Sequence, residues 1–244
     1  MMWFKDKTTN EIEFIALDKY SFEVCPKPFP ASKALPQWWK DASPYKKTLD
    51  SPDGKKIIVE DFESNATFKK CTPMLDMLSS GYVVPLWADV QIKIVNNRPT
   101  LSWRVKKSVF SLHDGEGVEI PIGYHNDQFK FLNQWIPKLP SGFSALIIPC
   151  PGYPNNPFKP ISAIIDYDKT THPLYPPMYL RNDFEGIIEK GTPMFQIIPF
   201  KRNNWKSGFS FLEDGQSMIN EDRDIKATIV NNYVKNFWEK KTYK

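Results

Sequence analysis

The chain has 244 residues, among them 22 prolines, 11 glycines and 8 tryptophans, with 32 Lys and Arg against 28 Asp and Glu for a formal charge of +4. That length suits one large all-β domain, the reading favoured, or two smaller ones, and so many prolines and aromatics favour β-structure with stiff connections over a helical bundle. The basic residues fall as scattered pairs (Lys46-Lys47, Lys55-Lys56, Lys69-Lys70, Lys106-Lys107, Lys240-Lys241) and not as a stripe able to track a phosphate backbone, which argues against nucleic acid as a partner.

The N-terminal EIEFIALDKYSFEVCP is rich in aromatic and β-branched residues and is expected to form one or two strands that end at Cys25-Pro26. In KPFPASKALPQWWKDASPYKK, Ser32 is placed to cap a short helix carrying Leu35, Trp38 and Trp39, which Pro44 would stop. Adjacent tryptophans there serve either as a ligand platform or as a plug for the end of a sandwich. Residues 72 to 81, TPMLDMLSSG, predict a second short helix with Thr72 as cap, Pro73 in its first turn and Gly81 just past its end.

VQIKIV (90 to 95) and TLSWRV (100 to 105) each alternate apolar and polar residues around Asn96-Asn97-Arg98-Pro99. They predict a hairpin with Val90, Ile92 and Ile94 facing Leu101, Trp103 and Val105. FSALIIPC (143 to 150), ISAIIDY (161 to 167), EGII (185 to 188) and PMFQIIPF (193 to 200) are further strands bounded by Gly and Pro clusters. In the last of these a turn at Lys190-Gly191 launches the strand, and Met194, Gln196 and Ile198 are expected on one face. From Asp222 to Lys241, Ile225, Ile229, Tyr233 and Phe237 recur every fourth residue. That stripe predicts an amphipathic helix over 222–241, packed on the sheet or on a partner subunit of a homo-oligomer. The whole reads as mainly β, an antiparallel sandwich or jelly roll with short helices and one C-terminal helix, in a single domain over 1–244.

Cys25, Cys71 and Cys150 are odd in number and far apart, so they suggest neither a disulfide framework nor a thiolate zinc site and fit a reducing cytoplasm. Glu11, Glu13 and Asp18 interrupt what a signal peptide would keep apolar, and no apolar run reaches the length of a membrane span. The phosphate-binding, dinucleotide, nucleophile-elbow and zinc-protease motifs are all missing, and no cofactor is indicated. Candidate chemistry therefore rests on a few residues. His113, Glu116 or Asp114, and His125 offer two imidazoles and a carboxylate for a metal, although the spacing is not that of a facial triad. Asp166 and Asp168 offer paired carboxylates at a strand end, where turn formers are also common. Gln196 on an apolar face needs a partner, either a neighbouring strand or a ligand. Trp38, Trp39, Trp87 and Trp135 could wall a pocket for a small polar or sugar-like molecule, or could be core.

The blocks PASKALPQWW, CTPMLDMLSSGYVVPLWADVQI and KGTPMFQIIPFKR, spread over roughly residues 26 to 206, resemble an uncharacterised protein family of T4-like cyanophages and some bacteria. The resemblance implies an accessory protein of phage or bacterial origin, in the host cytoplasm or the virion, and carries no catalytic residues with it. A second, local resemblance joins AIIDYDKTTHPLYPPMYLRNDFEGIIEKGTPMFQIIPF to the late strands of trimeric dUTPases and dCTP deaminases. It implies a jelly-roll strand order, with Asp166 matching the aspartate near the sugar and Gln196 the glutamine of the closing strand. The phosphate motif of those enzymes is absent, and KSGFSF (206 to 211) is a poor match to their glycine-rich arm. A ligand-binding β-domain, a structural or virion interaction protein, and a dUTPase-like nucleotide hydrolase remain as three expectations.

Overall fold

The computed structural model describes residues 10–46, 48–50, 53, 56–58, 66–114, 117–211, 234 and 238–244. In chain order the first strands are β1 (Glu13–Ala16), β2 (Phe29–Pro30), β3 (Thr48–Asp50), β4 (Lys56–Ile58), β5 (Tyr82–Pro85), β6 (Val90–Val95), β7 (Arg98–Ser102) and β8 (Phe110–His113). The rest are β9 (Tyr124–Phe131), β10 (Trp135–Lys138), β11 (Phe143–Ile148), β12 (Phe158–Pro160), β13 (Ala163–Ile165), β14 (Pro177–Arg181), β15 (Gly186–Ile188) and β16 (Pro193–Lys201). Three short helices, α1 (Lys19–Val24), α2 (Gln37–Asp41) and α3 (Thr72–Ser79), and two 3-10 turns at Ala31–Ala34 and Phe68–Lys70 complete the described elements. The protein is mainly β, and the described strand pairs are antiparallel.

The chain divides into two compact units. The first comprises Met1–Ala34, Gly81–Arg202 and Tyr243–Lys244. It holds a five-stranded sheet ordered β13-β11-β16-β5-β2, a four-stranded sheet ordered β12-β14-β9-β8, and the smaller sheets β15-β6-β7 and β1-β10. Ala145, Ile147, Phe195 and Ile197 of the five-stranded sheet share one buried core with Phe129, Phe131, Phe158, Met178 and Leu180 of the four-stranded sheet. Phe131 meets Phe195 edge-to-face at 6.2 Å, the antiparallel sandwich arrangement in which facing side chains interdigitate. Each such side chain contributes about 2 kcal/mol by leaving water.

The hairpin forms with a shorter turn than the sequence suggests. Asn96 and Asn97 adopt positive φ of 51° and 61°, which closes a two-residue turn of the kind that matches strand twist, and asparagine tolerates this conformation. Arg98 and Pro99 consequently pair with Val95 and Ile94, and Trp103 and Val105 fall beyond the end of β7. The expected second N-terminal strand is a helix instead. Asp18 accepts a hydrogen bond from the Ser21 N–H at 2.7 Å, the N-cap interaction that diverts KYSFEV from extended structure. The tryptophan helix starts at Gln37 and not at Ser32, because Pro36 separates it from the 3-10 turn that contains Ser32. In α3 the cap position moves back one residue to Cys71.

Two local devices set the five-stranded sheet. Gly81 has φ of +71°, and a Cβ there would lie 2.0 Å from the Ile197 carbonyl oxygen, so no other residue fits. In β16 the register slips between Pro193 and Phe195. The extra residue lets Met194 and Phe195 both enter the core, so Met194 does not share a face with Gln196 as simple alternation predicts.

The second unit comprises Leu35–Ser80 and Asn203–Thr242. It contains α2, α3, the hairpin β3-β4 and a lone bridge between Tyr45 and Ala66. Trp39 and Leu78 are its buried apolar anchors. The Trp238 indole N–H donates to Asp76 Oδ2 at 2.9 Å, and the Lys241 ammonium donates to the same oxygen at 2.7 Å. The helix expected over 222–241 lies largely outside the described residues; Val234 is helical, and residues 238–241 are not. Among the described residues no helix is long and apolar enough to cross a membrane.

Candidate functional site

The first unit contains a cavity of about 440 Å³ built from elements far apart in sequence. Its floor is a cross-strand row on β15-β6-β7, where Ile187 lies opposite Gln91 and Gln91 lies opposite Ser102. Directly opposed residues on an antiparallel pair share a face, so an amide and a hydroxyl stand side by side. Tyr20 and Val24 of α1 form one wall, Trp87 and Asp89 of the β5–β6 loop a second, and Trp103 and Arg104 after β7 a third.

The first two of these walls are braced by hydrogen bonds. The Lys107 ammonium pairs with Asp18, donates to the buried Ser21 Oγ at 3.0 Å, and lies 5.4 Å from the centre of the Tyr20 ring. Ser21 Oγ in turn donates to Gln134 Oε1 at 3.0 Å. The bond from Lys107 and the Ser21 N–H together draw the Asp18 carboxyl down to a pKa of about 2, so the α1 cap is charged over the whole neutral range. Lys190 ties the other side, its ammonium donating to Val24 O at 2.9 Å and its backbone N–H to Asp89 Oδ1 at 2.7 Å. The Trp87 indole donates to Leu132 O at 3.0 Å, which fixes its ring.

The carboxylates singled out in the sequence do come together, around an arginine the sequence did not single out. Asp166 and Asp168 sit in the turn after β13, and Arg202, just past β16, forms a two-pronged pair with Asp168, whose side chain is 4% exposed. Arg202 Nη1 also donates to Phe143 O at 2.8 Å and to Ser144 Oγ at 3.0 Å, and lies 3.2 Å from Asp166 Oδ1. The Ser144 hydroxyl donates to Asp166 Oδ1 at 2.6 Å, and the Gly142 N–H donates to Asp168 Oδ2 at 2.8 Å. Arg202 holds the Asp168 pKa down to about 2, and the Ser144 hydroxyl, with Arg202 behind it, lowers that of Asp166. These carboxylates are satisfied acceptors that lock the ends of β11 and β16 to a turn.

The other candidates are dispersed. Gln196 is 1% exposed, lies opposite Val83 and Ile148 on the five-stranded sheet, and is not left without a partner. Val83 packs with Ala31 and Cys150 on the side away from the main core, where burial pushes the Cys150 thiol up to about 12 and leaves it inert. Ser144 and Ile148 are four places apart on β11, so Asp166 and Gln196 are separated along the strand by about 13 Å. His113 ends β8 on the other sheet, opposite Gln128. His125 Nε2 and both amide atoms of Gln128 are buried without a hydrogen-bond partner, a cost of about 1–3 kcal/mol for each unmet group. Glu116 lies outside the described residues, and among those described no cluster of three His, Cys, Asp or Glu side chains could hold a metal ion. Trp135 is 3% exposed in the core and donates its indole N–H to Pro26 O at 2.9 Å; it lines neither this cavity nor the next.

Trp38 and Trp39 line a separate cavity of about 440 Å³ in the second unit, with Tyr45, Lys46, Phe68 and Lys69. Trp39 is buried, while Trp38 stands across it edge-to-face at 5.8 Å and remains 43% exposed. The pair thus joins a buried ring to one partly open to solvent. The sequence reading missed Tyr20, Asp89, Gln91, Ser102 and Arg104; the polar face of the predicted hairpin was a signal for Gln91, Ser102 and Arg104 alone. Compared with family models and with characterised proteins, the chain matches none.

Proposed function

We propose that this protein is a ligand-binding β protein that takes a small polyhydroxylated, sugar-like molecule in the cavity of the first unit. The observation that carries the reading is that Gln91 and Ser102, directly opposed across β6-β7, line one cavity together with Tyr20, Trp103, Asp89 and Arg104. Aromatic faces pack against the C–H faces of a sugar ring, and planar amide, carboxylate and guanidinium groups bond pairs of neighbouring hydroxyls. A carboxylate and two cations around the same space favour a neutral ligand over either ion.

Binding to a panel of mono- and disaccharides, followed by calorimetry, tests this. At least one saccharide should bind in the micromolar to millimolar range, and Trp103→Ala or Gln91→Ala should weaken it about tenfold to a hundredfold. Silence of the whole panel at about 10 mM, below which useful affinity would show, removes the reading.

A further inference from the structure

The Trp38–Trp39 cavity has a different chemistry from the one just assigned. Among the described residues that line it, charge comes from Lys46 and Lys69 alone, and no carboxylate is present. Large aromatic surface faces solvent there, with Trp38 43% and Phe68 75% exposed. The lysines are placed around rings: the Lys69 ammonium is 5.2 Å from the Trp39 ring centre while donating to the Trp39 carbonyl, and that of Lys70 is 5.5 Å from the Tyr45 ring centre. The Lys69 bond holds the C-terminal end of α2, and so the Trp38 ring, in position.

We propose that this cavity binds a nucleotide, the base stacking on Trp38 and the phosphate meeting the lysines. Stacking on an exposed indole tolerates any planar base, while lysine ammonium groups act as point charges suited to a phosphate. A neutral sugar would leave the cations unused, and a cation would be repelled. The assignment is independent of the saccharide reading, since it concerns other residues and another ligand.

Calorimetry on the full chain with adenosine 5′-monophosphate, adenosine, inorganic phosphate and a short oligodeoxyadenylate tests it. The monophosphate is expected to bind at least about tenfold more tightly than adenosine or phosphate, because stacking and charge act together. The oligonucleotide separates the two sources of a nucleotide: tighter binding per site than the monophosphate marks a single strand as the ligand, and equal binding marks the free nucleotide. Trp38→Ala should weaken all base-containing ligands, whereas Lys46→Gln, an exposed change that leaves α2 intact, should weaken only the phosphorylated ones. Adenosine binding as tightly as its monophosphate, or no heat from either nucleotide form at about 10 mM, where even weak ligands register, overturns the proposal.

Discussion

The two cavities have the same volume, about 440 Å³, and different charged linings, a carboxylate with two cations in the first and cations alone in the second. The first sets Asp89, Arg104 and Lys190 beside an amide and a hydroxyl, and the second sets Lys46 and Lys69 among four aromatic side chains. Size therefore says nothing about what either holds. The presence or absence of a carboxylate among the lining charges and the ratio of hydrogen-bonding to stacking groups do. The first is also assembled from α1, β6, β7, β15 and three loops, so its shape depends on the sheet register; the second is made by a short helix, the segment that follows it and a 3-10 turn.

The difference can be sharpened by disturbing one cavity at a time. The largest effect is expected from Gly81→Ala, which drives a Cβ into the Ile197 carbonyl at a positive φ. It should cost about 3 kcal/mol or more, read as a lower denaturant midpoint, with loss of saccharide binding because β5 leads directly into Trp87 and Asp89. Next, Arg202→Ala leaves the Asp168 carboxylate without its cation. A loss of about 2–3 kcal/mol is expected, not restored by Lys, which lacks the second prong. Ligand preference should be unchanged at temperatures where the variant is folded, separating damage to the fold from damage to a site. Ionic strength acts more gently: raising salt from about 0.05 to 0.5 M should weaken nucleotide binding several-fold and saccharide binding hardly at all.

The smallest effect is in acid. Asp18 and Asp168 each have a folded pKa of about 2, below the ordinary 3.8. Depressed carboxyls stabilise the folded state fully above their unfolded pKa, and that contribution disappears as pH falls through the folded value. Urea midpoints should be flat above about pH 5 and drop between pH 4 and 2, and Asp168→Asn should remove part of that slope.

Local pattern explains which parts of this molecule were readable from residues alone. The β6–β7 pair was legible because one buried face imposes strict alternation, and Asn96-Asn97 announced its turn. β11 and β16 were legible as apolar runs cut by Gly and Pro. KYSFEV was not, since six residues of mixed polarity fit a strand or a helix until Asp18 supplies the cap. β9, with two more residues than β14 between its outer pairing positions, loses its alternation and gave no signal. Trp38 and Trp39 were visible as adjacent rings, while Gln91 and Ser102 became a site only through a register that brings in Ile187 and through a helix that brings in Tyr20. Arg202 was invisible as the partner of Asp168 because ion pairs across 34 residues leave no spacing rule.

The hydrogen bond from the Ala31 N–H to the Gly81 carbonyl, at 2.9 Å, has a wider meaning. Together with the pairing of Phe29 with Val83 and Pro30 with Tyr82, it brings the strand that leaves the first unit alongside the strand that returns to it. Topologically, then, residues 35–80, one of the two segments of the second unit, are an insertion between neighbouring strands, a place where a β scaffold accepts added chain without rethreading its sheet. The described residues that line the second, cationic cavity all fall within that insertion, so changes to its lining leave the strand order of the sandwich as it was.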